Sequence, residues 1–502
     1  MTSAGIALDA EWLEPDGIGG FASGTVGLAR TRRYHALLLL AETPPTRRVV
    51  LVNGIEAWVE TSAGRFAISS QHYAPDITFP GGADAITAFD HDPWPTWRFT
   101  LPDGAVITQE IATARDACTT VLRWRRAPGR GSCRLTVRPL LSGRDYHALH
   151  RENAGFRFDG LVRGGNVAWR PYEPLPAVSA LTSGAYAAAP EWYRNFLYAA
   201  EQDRGLDCIE DLASPGLFTF DLDAAPAAML LRGGDDIWAR AAPLADDLLA
   251  TERTRREKHS PLRRAAACYT VDRGTGQTII AGFPWFTDWG RDTFIAMRGL
   301  VIGAGRLDAA TAILAAWAGV VSEGMLPNRF PDDGATPEYN AVDASLWFVI
   351  AVHDYREAAG ETARCDGVLH DAVQAILRGY AAGTRFGIAP DTDGLLRAGV
   401  PGVQLTWMDA KIGDRVVTPR IGKPVEVQAL WINALTIGAQ RVPHWASLAA
   451  QARASFLKRF PNPAGGLYDV VDADHVPGRT DAKLRPNQIL TVGGLPYPLL
   501  DG

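Results

Sequence analysis

The 502 residues carry 47% hydrophobic and 21% charged side chains and a net charge of −6, the balance of an ordinary soluble chain with material for two large cores and no compositional sign of disorder. Lysine and arginine form no extended basic stripe and no apolar stretch approaches the length of a membrane span, which argues against nucleic acid and membrane as partners. The five cysteines (Cys118, Cys133, Cys208, Cys268, Cys365) are odd in number and lack a CxxC pair, so buried reduced thiols are expected in place of disulfides or zinc.

The first residues have no basic start and reach an acid by Asp9, so no secretory signal is indicated and the cytoplasm is the expected compartment. Up to about residue 240 come short alternating or β-branched runs, among them 34–40, 48–52, 96–101, 106–113, 119–125 and 133–141, separated by Gly, Pro, Asp and Asn clusters. This pattern predicts a large β-sandwich over 1–240. The glycine-rich segment 17–24 lacks phosphate-loop spacing and a following helix, and is expected to be a β-turn.

After Asp235 the character changes. Residues 238–258 are rich in Ala, Leu, Arg and Glu at helical spacing, and Ser260-Pro261 supplies an N-cap and a first-turn proline for a second helix to about Tyr269. The expected division is therefore 1–240, a helical linker 241–259 and a helical domain 260–502. The basic run 253–264 is expected to be a solvated helix face.

Helical periodicity then recurs at 292–303, 307–322, 341–359, 366–381, 425–439 and 445–460. Long segments dense in Trp, Asp, Asn, Arg and Gly occupy 281–291, 324–340 and 384–423. Short links alternating with long polar ones suit helical hairpins that present the long loops at one end, and an α/α toroid fits best.

These loops hold the candidate chemistry. The segment 283–292 packs four aromatics, two acids and Arg291 into ten residues, a mixture suited to stacking on sugar rings and bonding hydroxyl pairs. Core packing of the tryptophans and an N-terminal helix role for Asp292 explain it equally well. In the second loop Asn340 and Asp343, three apart, are able to face one mouth, although capping accounts for either. In the third, Asp409 follows Trp407 and Met408. A carboxyl desolvated by those neighbours has a raised pKa and suits a general acid, while a surface turn is the ordinary alternative. Asp391-Thr-Asp-Gly394 lacks the remaining spacing of a calcium loop and is expected to be a plain turn.

Taken together, Trp289-Gly-Arg-Asp292, Leu326-Pro-Asn-Arg329, the segment 339–347, Thr406-Trp-Met-Asp-Ala410 and the segment 422–431 resemble the glucosidase domain of glycogen debranching enzymes. The segments 12–24 and 32–37 resemble the β domain that precedes it in bacterial and archaeal forms. The resemblance implies an (α/α)6 toroid, inverting release of glucose from α-1,6 branch points of a glycogen-like glucan, and no cofactor. It places Asp409 as general acid and Trp289, Arg291 and Asp292 on the terminal glucose; Asn340, Asp343 and Trp407 are further candidate substrate contacts from the loops themselves. Lys423 and Glu426 match the segment flanking the site. Inversion also needs a second carboxylate, which in the family is a glutamate in a late loop. About seven or eight helices follow Ser260, so the expectation is a toroid incomplete in this chain, with that glutamate outside it. The competing expectations are a glucoamylase-like α-1,4 exo-glucosidase and a non-catalytic glucan-binding fragment.

Overall fold

The computed structural model describes residues 5–329 and 337–501, so 330–336 of the second polar loop lie outside the described residues. Contacts divide the chain into two compact units between Arg273 and Gly274.

The first unit holds two antiparallel sheets. The ten-stranded sheet runs, in spatial order, Glu11–Pro15, Phe21–Thr25, Ala36–Thr43, Thr46–Thr61, Cys133–Asp145, Ile209–Asp221, Ala185–Leu197, Ser70–Tyr73 and Ile77–Gly81, with Gly64–Ala67 paired onto Thr46–Thr61. The eight-stranded sheet runs Gly160–Arg163, Asn166–Trp169, Val178–Thr182, Ala227–Gly233, Thr119–Arg126, Val106–Ala114, Thr96–Thr100 and Ile86–Asp90. The two-residue period of a strand sorts their side chains. Leu122 and Trp124 enter a core shared with Leu38, Leu51, Val59, Leu135 and Phe218 of the larger sheet, which makes the unit a sandwich. Val121 and Leu230 point the other way. Segment 17–24 turns between the first two strands and enters the second, as expected.

A one-turn helix α1 (Ala199–Gln202) interrupts the strands, and α2 (Ala241–Glu257) and α3 (Pro261–Cys268) follow them. Ser260 accepts a hydrogen bond from the Arg263 amide with Pro261 in the first turn, as its sequence predicts. The helix α2 is not a free linker. Ala241, Ala245 and Leu249 cover Val121, Leu181 and Leu230 on the outer face of the smaller sheet, which draws both helices into the first unit and moves the boundary from 240 to 273. The basic run is likewise only partly solvated. Arg256 is buried and grips both Glu14 oxygens, at 3.1 and 2.6 Å, and Arg253 lies over Trp94 at 4.8 Å.

In the second unit α4 (Gly290–Met297) continues as a π turn (Arg298–Ile302), followed by α5 (Leu307–Ala318), α6 (Ala344–Ala359), α7 (Asp366–Ala382), α8 (Val425–Ala439) and α9 (Trp445–Arg459). Nearly every side chain of α8 and of the first half of α6 is buried, because neighbours surround these two mostly apolar helices; Glu426, Gln428 and Asn433 are the buried polar residues of α8. A small sheet of Lys423–Pro424, Val470–Val471 and Thr480–Asp481 ties the start of α8 to the segment after α9. Among the described residues no helix is long and apolar enough to cross a membrane. All five cysteines are unpaired, but only Cys133 is buried and Cys365 is exposed, so the expected burial of the thiols holds for one of them.

Candidate active site

The start of α4 and the three long loops of the second unit meet at one place. Trp289 stands just before α4 and bridges to Arg329, so the motif 289–292 lies antiparallel to 326–329. The Gly290 amide donates to the Asn328 carbonyl at 2.7 Å, and a Cβ on Gly290 would come within 2.4 Å of the Pro327 oxygen, which is why the backbones approach so closely there. Arg329 lies over the Trp289 ring at 5.6 Å, and Phe286 meets that ring edge-on at 5.9 Å. The third loop is drawn in by the Val342 amide, which donates to the Leu405 carbonyl at 2.9 Å.

Those contacts place Arg291 between two carboxylates. Its Nη2 donates to Asp409 Oδ2 at 3.1 Å and its Nη1 reaches both oxygens of Asp343 at 3.4 Å. Asp343 stands at the N-terminus of α6 yet makes no side-chain cap, so the capping explanation does not apply to it. Burial pushes the Asp343 carboxyl up, against the pull of Arg291, and burial also raises Asp292 in the first turn of α4. Burial by itself would lower the Arg291 pKa, but Asp343, Asp292 and Asp409 together carry it up. Three carboxyls thus share one guanidinium. Asn340 Oδ1 is buried without a hydrogen-bond partner among the described residues, an acceptor held ready in the same loop.

Trp407 does not close over Asp409 as its sequence position suggests. The Asp409 side chain keeps 35% of its surface and Trp407 is 44% exposed, because the indole Nε1 is turned to Asn487 Oδ1 at 2.9 Å. Asp409 is therefore only partly covered in the free chain. Asn487 in turn donates to Asp469 Oδ1 at 3.0 Å, and Asp469 is held by Arg420 and Arg485, both at 2.9 Å or closer.

Lys423 and Glu426 belong to this support and not to the Arg291 cluster. Glu426, fully buried, is paired through both oxygens to Arg420, and burial raises its carboxyl against that pairing. The Lys423 ammonium is surrounded by Asp391 at 3.0 Å, Asp393 at 2.9 Å and Asp472 at 2.8 Å. The segment 391–394 is a turn, closed by the Gly394 amide on the Asp391 carbonyl at 2.8 Å, and its carboxylates face a lysine. Arg420, Asp469 and Asn487 were not singled out in the sequence. They lie far apart in it, and no local pattern marks them as partners. Among the described residues no three His, Cys, Asp or Glu side chains gather as a metal site.

The arrangement offers a cation with donors for paired hydroxyls, clustered carboxyl acceptors and two accessible indoles, which is the chemistry of a polyol site.

The family described as amylo-alpha-1,6-glucosidase matches residues 262–501, and the family described as glycogen debranching enzyme N terminal matches residues 10–228. A glycogen debranching enzyme of Saccharomyces cerevisiae is 42% identical over 83 residues, which are 16% of this chain and 5% of that protein. The crystal structure of a bacterial glucoamylase complexed with acarbose superposes with a TM-score of 0.51 at 12% identity, covering 93% of this chain and 70% of that one, a likeness of fold alone. With both of its characteristic regions matched in order, the chain belongs to the glycogen debranching enzyme family.

Proposed function

We propose that the helical unit is part of an (α/α)6 toroid that hydrolyses glucosidic bonds in a branched α-glucan, releasing glucose from α-1,6 branch points with inversion. The family match to residues 262–501 supports the substrate class, and the likeness to a glucoamylase supports the toroid. The observation that carries the chemistry is the Arg291 cluster, in which Asp409 is the member left half open to solvent.

In this reading Arg291 and Asp292 grip the hydroxyls of the terminal glucose, Asn340 and Asp343 line the same mouth, and Trp289 and Trp407 flank the sugar. Asp409 donates its proton to the glycosidic oxygen as the bond to the anomeric carbon breaks. A sugar seated on Trp407 covers the remaining open face of Asp409, and the loss of water there favours the neutral acid that proton donation requires. Water then adds to the anomeric carbon from the opposite side, its proton taken by a second carboxylate roughly 6.5–9.5 Å from the first. No carboxylate of this chain is assigned that second role. Lys423 and Glu426 act through the buried ion network that fixes the loop bearing Asp409.

Glucose release from a phosphorylase limit dextrin, compared with linear maltooligosaccharides, tests the reading, with the first-formed anomer followed by NMR. The β-anomer is expected, from the limit dextrin in preference to linear chains. Release from linear chains alone indicates an α-1,4 exo-glucosidase, and full activity in Asp409→Asn removes Asp409 as the acid.

A further inference from the structure

Between the two sheets of the first unit lies a cavity whose wall includes Trp12, Arg30, Asn53, Gly54, Trp97 and Gln109. Its volume is about 50 Å³. One buried water needs roughly 10–15 Å³ on that measure, so there is room for about three to five heavy atoms.

Arg30 is only 6% exposed. Among the described residues its guanidinium makes no hydrogen bond or ion pair, its Nε is buried without a partner, and the Phe196 ring lies 5.0 Å away. A Cβ on Gly54 would lie 2.2 Å from Nη1, so the group rests against bare backbone that only glycine leaves open. The buried acids of this region are already taken, Glu210 by Arg144 and Tyr198 and Glu56 by Arg138 and Tyr73. Asn53, 1% exposed, donates through Nδ2 to Glu210 Oε2 at 3.2 Å, and its Oδ1 is left without a donor. Gln109 accepts from Trp124 Nε1 at 2.7 Å, which leaves its NH2 to donate.

A buried cation is costly unless an opposite charge meets it, and water supplies hydrogen bonds without that charge. The complementary ligand is therefore a small anion that also carries a hydroxyl for Asn53. We infer that the cavity is a binding site for hydrogen phosphate. The ion has five heavy atoms, its charged oxygens suit the fork of Arg30, and its P–OH donates to Asn53 Oδ1. Sulfate has the size and charge but no proton to donate, and a hexose phosphate is too large.

Thermal unfolding of the full chain at constant ionic strength tests the site. Phosphate a hundredfold above its Kd is expected to raise Tm by roughly 5–10 °C, sulfate by less, and chloride or a hexose phosphate not at all. Arg30→Met is expected to abolish the response and, in phosphate-free buffer, to unfold at a higher temperature than the parent, because it removes an uncompensated charge. No phosphate response, an equal response to sulfate, or a response retained in Arg30→Met overturns the assignment. If that variant does not fold, ³¹P NMR of inorganic phosphate with the parent chain decides: protein-dependent broadening that sulfate does not reverse supports the site, and an unbroadened line overturns it.

Discussion

Two groups of charged side chains lie in the helical unit, and they are built to opposite ends. Around Arg420 and Lys423 every charge is met: Glu426 and Asp469 close on the guanidinium, three aspartates close on the ammonium, and both cations are buried. Around Arg291 three carboxyls share one cation, the bonds to Asp343 are long, Asn340 keeps an acceptor unused, and Asp409 remains open to water. A satisfied, buried ion cluster holds loops in place, whereas an incompletely satisfied one at a mouth has hydrogen-bonding capacity left for a substrate. Density of charge in the sequence does not separate the two.

Substitution separates them. The largest effect is expected from Asp409→Asn, which should lower glucose release by about 10²–10⁴-fold, the usual contribution of a general acid, while Tm stays within about 2 °C of the parent. A matching fall in Tm would return Asp409 to the structural group. Glu426→Gln should do the reverse, since it leaves Arg420 short of a buried counter-charge: urea unfolding is expected to show a loss of about 3–5 kcal/mol. A variant with parental stability and lost activity would instead place Glu426 in the site.

The pH dependence of the Lys423 cluster comes next. Burial pushes the Asp472 carboxyl up, but hydrogen bonds from Arg459 and Lys423 outweigh it and bring the group down to about 2. Above the ordinary value of 3.8 its contribution, about 2 kcal/mol, is complete; as pH falls below 3.8 the unfolded chain takes the proton first, and the contribution is gone once pH passes about 2. Asp472→Asn should therefore cost that amount at pH 7 and flatten the acid limb of a stability profile between pH 2 and 4. An unchanged limb would show that the cluster contributes nothing. The smallest effect is expected for Trp407→Phe, which removes the hydrogen bond to Asn487 at a cost of about 1 kcal/mol in denaturant unfolding and frees the loop that carries Asp409. A KM for limit dextrin that does not move would detach Trp407 from substrate binding.

Much of this was local enough to be read in the chain. Ser260-Pro261 opens its helix where the cap chemistry says it must, 425–439 is the helix its periodicity predicts, and the strands over 106–114 and 119–126 fall within a residue or so of the alternating runs. Segment 289–292 is legible as a candidate because aromatic, acidic and basic residues crowd a few positions, Asn340 and Asp343 by their spacing of three, and Asp409 by its place after Trp407 and Met408; the family these segments resemble is the one to which the chain belongs.

What the sequence leaves undecided are the pairings across long separations. Arg291 meets Asp409 across 118 positions and Asn487 meets Trp407 across 80, and no periodicity records either. The same limit explains the boundary at 273: the helix over 241–257 reads as a linker until the outer face of a sheet is present to take Ala241, Ala245 and Leu249. It explains as well why Lys423 and Glu426, which share a motif with the site, stand apart from it. Side-chain type and spacing determine which elements form and which residues are able to do chemistry; only the packed loops decide which charges neutralise one another and which are left for a substrate.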